Sequence, residues 1–255
     1  MGIAEFLNPV NTVTFLLLFI RISAFLTFLP FFNYANIPMR AKAALSIWLS
    51  VLFFPLVPKI DFEINFLNLI LAVFNEVAFA FFVGMALELI FDILKFAAEQ
   101  ISFVMGFTMA NVIDPNFGTQ TTILSQFFTW IAIMVFLSMG GDHLEILLLS
   151  HFLQNLPFGA FFNYHNVYEY FLVYMGKYFL IGVAIAFPII AVSLMSDIIF
   201  GMIMKTMPQF NLLVVGFPIK IFLSFLVLMA IIGSMMSVFW REMEEAFRAV
   251  LSFIG

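Results

Sequence analysis

Apolar residues fill this chain in long blocks rather than in thin periodic stripes. Six blocks approach the roughly 20 mostly apolar residues that a bilayer-crossing helix needs. They run over 10–32, 41–58, 64–92, 120–141, 170–200 and 213–240. Runs such as Phe15-Leu16-Leu17-Leu18-Phe19-Ile20 are apolar on every face, whereas a membrane β-strand alternates. Within lipid each backbone polar group needs an internal partner, so the pattern predicts helices and an all-α class. Pro115–Gly141 and Ile221–Trp240 carry no charge at all.

The blocks are interrupted. Arg21, Glu76, Glu88, Lys177 and Asp197 fall inside them. A charge facing lipid at mid-depth costs about 2.5–3.5 kcal/mol. These positions therefore predict buried pairing, a wet cavity, or helices that do not sit squarely in lipid. Glu76, Glu88, Asp92, Lys95 and Glu99 lie on one helical tract, with Glu88–Asp92 and Lys95–Glu99 four apart and Asp92–Lys95 three apart. They read either as a proton or ion relay or as members of ion pairs within an assembly. Pro55, Pro157 and Pro188 are expected to kink or end helices.

Composition removes whole function classes. The chain is 64% hydrophobic and 10% charged, against about 45–50% and 25% in soluble domains. Mean hydropathy is +1.14. That leaves too little polar surface for a water-soluble globule. The net charge of −5 offers no basic face for nucleic acid. With no cysteine, thiolate metal sites and disulfides are excluded. The first charge is Glu5 and no A-x-A cleavage site follows, so the first block is expected to be an uncleaved membrane segment. His143, His151 and His165 lack the close spacing of a zinc pair. Asp142, His143 and Glu145 have no G-x-S-x-G partner. No nucleotide loop is present, and neither a cofactor nor a catalytic group is expected. Lys and Arg counts over the connections favour an outside N-terminus: Arg40, Lys42, Lys95, Lys205 and Lys220 inside against Lys59, Arg241 and Arg248 outside.

Two stretches break the apolar pattern in an unusual way. The first runs from Met105 and Gly106 to Thr122 and includes Phe107, Met109, Asp114, Pro115, Phe117 and Gly118. Pro115 disfavours helix at Asp114, and the glycines permit tight turns. It reads as a re-entrant or pore-lining loop, or as an ordinary surface loop. The second is Pro208-Gln209-Phe210-Asn211 followed by Gly216-Phe217-Pro218-Ile219-Lys220, a turn between the last two long helices.

At these residues the chain resembles the FliR/SctT family of type III export-gate proteins. The resemblance begins at Pro38-Met39-Arg40 and Ala44-Leu45-Ser46 and continues through Glu76 with Gly84. Next come Gly106 with Asp114-Pro115, and Gly140-Gly141-Asp142-His143. It ends at Pro188, Gly201, Pro208-Gln209-Phe210-Asn211 and Gly216-Phe217-Pro218-Ile219-Lys220. The Phe-rich composition and the early end after the amphipathic segment 241–248 depart from it.

The resemblance implies a non-enzymatic subunit of the flagellar export gate in the bacterial inner membrane and basal body. FliP and FliQ would be its assembly partners, FlhB and FlhA its neighbours, and unfolded flagellar proteins its cargo. Energy would come from the proton motive force and a separate ATPase. It implies a bundle of long kinked hairpins, with a P-like front part over 1–180 and a Q-like final hairpin over 181–255. A plug over 106–122 would place Met105, Gly106, Phe107, Met109, Asp114, Pro115, Phe117 and Gly118 in the gate. Arg40, Glu76, Pro208, Gln209, Asn211, Gly216, Pro218 and Lys220 would touch partners. The alternative from another class is a stand-alone ion-coupled transporter using Glu76 and Glu88.

Overall fold

In the computed structural model the described residues are 8–34, 37–107, 122–160, 164–207, 209 and 212–254. Among them every regular element is a helix. These are α1 (Pro9–Phe28), α2 (Pro30–Tyr34), α3 (Met39–Phe53), α4 (Phe66–Met105), α5 (Ile123–Ser138), α6 (Gly141–Asn155), α7 (Tyr164–Thr206) and α8 (Phe217–Leu251). A five-residue π-turn, Leu212–Gly216, leads into α8.

Local chemistry sets the ends. The Asn8 side chain accepts a hydrogen bond from the Val10 N–H at 3.1 Å, and Pro9 fills the first helical position, where its missing N–H costs nothing. α1 stops at Leu29, whose extended backbone suits the following Pro30. Pro55 ends α3 in a single 3₁₀ turn, Phe54–Leu56. α6 ends at Leu156, just before Pro157. Pro188 does not end its helix: α7 runs through it for 43 residues. In apolar surroundings, neighbouring groups can make good the backbone bond that proline removes.

The helices follow the apolar blocks, with two differences. α4 has 40 residues, about 60 Å at 1.5 Å per residue, where the pattern predicted an end at 92. Asp92, Lys95 and Glu99 belong to the helix, and Lys95 Nζ donates to Asp92 Oδ1 at 2.9 Å across one turn. α6 was not among the predicted blocks. Its inward residues Gly141, Glu145, Leu148, Leu149, Phe152 and Leu153 are buried at helical spacing, while His143, His151 and Gln154 are exposed.

By length and composition five helices can cross a membrane, or six if α5 and α6, bent by 67°, form one broken span. α4, α7 and α8 exceed the need. At 40, 43 and 35 residues each is far longer than a hydrocarbon layer of about 30 Å requires. Charges along them can therefore lie outside mid-lipid. In their most apolar windows α4 is 56% buried, α7 28% and α8 17%. α4 is largely buried, whereas few residues of α7 and α8 are fully buried and apolar side chains such as Leu180, Ile198 and Phe222 are exposed.

The chain divides into two compact units. The first comprises Met1–Leu89, Phe136–Val173 and Met243–Gly255; the second comprises Ile90–Val135 and Tyr174–Glu242. In the first, Phe25, Phe79 and Phe152 form an aromatic cluster with ring centroids 4.8–6.0 Å apart. Gly84 lets α1 and α4 meet there: a Cβ at this position would lie 2.5 Å from the Phe28 carbonyl oxygen. Backbone would have to move, so Gly84→Ala is expected to destabilise the fold by about 1–3 kcal/mol. The measurement is thermal unfolding of the purified protein in detergent, and an unchanged melting temperature would refute the close approach.

Candidate functional site

The interrupting charges find partners within the chain. In the first unit, Arg21 and Glu76 form an ion pair, each at most 2% exposed. Arg21 Nη2 donates to Glu76 Oε1 at 2.8 Å, and Nε donates to Oε2. Nη1 reaches the Leu156 carbonyl at 2.8 Å and the Phe152 carbonyl at 3.3 Å. Nη2 also reaches Pro157 O at 3.3 Å. Glu76 Oε1 accepts from the Gly159 N–H at 2.9 Å, and the guanidinium lies 4.5 Å from the Phe158 ring centre. One side-chain pair thus ties α1, α4 and the chain leaving α6. It is a fully hydrogen-bonded buried pair, which is the condition under which such a pair is tolerable.

In the second unit, Lys220 Nζ donates to both oxygens of Asp197, at 2.8 and 2.7 Å. Lys220 is buried while Asp197 is half exposed. The bond joins α7 to the first turn of α8. Farther along the same hairpin, Lys177 Nζ lies 2.7 Å from Glu242 Oε2.

The start of the first unusual stretch is held firmly. Gly106 has φ 87°. Its N–H bonds to Phe103 O at 3.1 Å, and the Phe107 N–H bonds to Ser102 O at 3.0 Å. These are the two crossed bonds of a Schellman stop, which needs the left-handed residue that glycine supplies best. Ser193 Oγ donates to the nearby Val104 carbonyl at 2.9 Å. The far end returns to the same place. Ser102 Oγ bonds to Thr122 Oγ1 at 3.0 Å, and Thr122 Oγ1 accepts from Ser125 N–H at 3.2 Å, capping α5. Both ends of 107–122 are therefore fixed to one turn of α4.

The structure brings the start of the first unusual stretch against the later part of the second, at Phe217. A Cβ at Gly106 would lie 3.0 Å from Phe217 Cε1. The Phe107 ring packs edge-on to Phe225 at 6.1 Å. Met105 is fully buried. Gly216 is buried at the end of the π-turn, and Pro218 is exposed in the first turn of α8. Gln209 is exposed in the turn, and Arg40 is exposed at the start of α3. Met109, Asp114, Pro115, Phe117, Gly118, Pro208 and Asn211 lie outside the described residues. Glu76 is spent inside the chain.

Residues 12–246 match the family described as Bacterial export proteins, family 1. The chain belongs to this family. The flagellar biosynthetic protein FliR from Bacillus subtilis (strain 168) is 32% identical over 250 residues, covering 94% of this chain and 95% of that protein. FliR from Aquifex aeolicus (strain VF5) is 29% identical over 243 residues, covering 95% and 94%. FliR from Escherichia coli (strain K12) is 25% identical over 203 residues, covering 79% and 77%. The resemblance read from motifs thus extends over almost the whole chain.

Sequence reading missed Ser102 and Ser193, took Thr122 only as the end of the stretch, and did not pair Asp197 with Lys220. Thr122 carried a signal, as a capping residue directly before an apolar run. Ser102 and Ser193 carried none, because a buried serine within an apolar helix looks like any small core residue.

Proposed function

We propose that this chain is a non-enzymatic subunit of the flagellar type III export gate in the bacterial inner membrane. It helps to form and seal the conduit for unfolded flagellar proteins. FliP and FliQ are its assembly partners, with FlhB and FlhA adjoining. Residues 1–180 form a P-like part and 181–255 a Q-like hairpin. The observation that carries the reading is the similarity along 12–246 to a family of bacterial export proteins, with relatives named for flagellar biosynthesis. The outward apolar surface of α7 and α8 supports it, because such surface needs lipid or other helices to cover it.

The stretch 106–122 is the seal. A loop whose two ends are locked to one turn can change shape without opening the bundle behind it. Gln209, Gly216, Pro218 and Lys220, with Pro208 and Asn211, support contacts at the cytoplasmic entrance, and Arg40 supports contacts with a partner subunit. The transporter reading gains no support: both oxygens of Glu76 are engaged with Arg21 and Gly159.

Deleting the gene in its host should abolish flagella and secretion of filament subunits, and the restored gene should bring both back. Swimming by the deletion strain would reject the reading. Expressed alone, the chain should be extracted poorly and cleaved readily, and co-expression with P- and Q-type subunits should protect it.

A further inference from the structure

One face of α7 carries an exposed acid within an apolar surface. Asp197 is 50% exposed, although it lies among outward-facing Leu194, Ile198 and Met202, which are 53–64% exposed. One turn on, at i+4, stands Gly201, and a Cβ there would meet nothing within 4 Å. A carboxylate and an open glycine thus share one helix face within an apolar surface.

The Asp197–Lys220 pair is lopsided. The lysine is 8% exposed, so the pair presents its negative end outward. Two lone-pair positions are taken by Lys220 Nζ, yet a carboxylate has about four. Facing hydrocarbon, this oxygen-rich end would be costly. A face that is apolar, open over glycine and negative at one point fits a helix that comes in closely and carries a cation. Small residues at helix interfaces allow such close approach.

We infer that the α7 face centred on Asp197 and Gly201 seats a helix of another membrane subunit, which sets a lysine or arginine against Asp197. The identity of that subunit as an export-gate component rests on the proposed function; the docking itself does not. The occupant differs from lipid hydrocarbon, which carries no cation, and from water, which has no use for the apolar flanks.

The chain has no cysteine, so introduced groups report without background. A photo-crosslinking residue at position 198 is placed in the full-length chain, expressed in its host with all other subunits present. Adducts are mapped by mass spectrometry. The expected adduct is a membrane helix of a different subunit, with a lysine or arginine within one turn of the crosslinked position. Gly201→Leu should leave the chain's own fold intact, since its side chain meets open space, and yet lower the recovered complex about tenfold. Asp197→Asn should lower it too, whereas Asp197→Glu should largely restore it. An adduct with a second copy of this chain would overturn the assignment. So would lipid adducts alone, or ready labelling of Ile198→Cys in the assembled complex by a membrane-impermeant maleimide. Wild-type recovery of the Gly201→Leu complex would also overturn it. If the deletion strain swims but the adduct forms, the export reading fails and the docking face stands.

Discussion

Glu76→Ala is expected to leave very little folded protein in the membrane. Removing the carboxylate strands a guanidinium that is 1% exposed, and breaking a buried pair from one side costs about 3–5 kcal/mol. Total stabilities are commonly only about 5–15 kcal/mol. The Gly159 N–H loses its acceptor at the same time. Arg21→Met should be as harmful, since it strands the carboxylate and takes the guanidinium donor from the carbonyls of Phe152, Leu156 and Pro157, of which Phe152 and Pro157 keep a backbone N–H. The informative variant is the double one. Replacing Arg21 with Met and Glu76 with Leu removes both charges, and a well-packed apolar pair of similar volume is often tolerated. Recovery should be partial, because buried backbone groups left without partners still cost about 1–3 kcal/mol each. Membrane abundance and thermal unfolding in detergent check this. Wild-type behaviour of Glu76→Ala would show that the pair is not a staple, and would return Glu76 to the candidates for ion coupling.

The same pair marks the boundary of what sequence could reveal. Arg21 and Glu76 were visible as charges out of place, but they are 55 residues apart. Nothing in spacing could join them, nor point to carbonyls at the far end of α6 as the remaining acceptors. Short-range chemistry was more legible. Asp92 and Lys95 pair one turn apart, as their positions suggested. The apolar blocks located α1, α3, α5, α7 and α8 because lipid-length helices are hydrophobic all round. The same criterion failed at α6 and at the second half of α4. There polar residues occupy one side of each helix and dilute the average, although the apolar positions keep helical spacing. Gly106 was singled out as a turn residue, and it supplies the left-handed backbone at the end of α4. That its neighbours bind Thr122 sixteen positions later depends on Ser102, which carries no sequence signal.

Shortening the stretch between Phe107 and Thr122 is expected to leave the gate assembled but leaky. Its ends are already together. The Ser102–Thr122 hydroxyl bond at 3.0 Å and the Schellman stop at Gly106 hold both to one turn of α4, so a brief Gly-Ser linker can bridge them. A shorter loop also has a slightly smaller closure entropy to overcome, and α5 keeps its Thr122 cap. Stability of the second unit should therefore change by less than about 1 kcal/mol. What disappears is the set of bulky apolar side chains at Met109 and Phe117, with the bend that Asp114-Pro115 would impose. An apolar constriction blocks ions by excluding water, so its loss should raise permeability to ions and small solutes. A structural loop on the outside of the bundle gives the opposite pattern: assembly fails, or nothing changes, and no leak appears. The measurement is solute-induced swelling or ion uptake in cells carrying the shortened chain, beside co-purification of the complex. A fully assembled complex with wild-type permeability would reject the seal. An added Ser102→Ala exchange separates the anchor from the loop. It should loosen the neck while keeping Met109 and Phe117, and so give a weaker leak than the shortened loop.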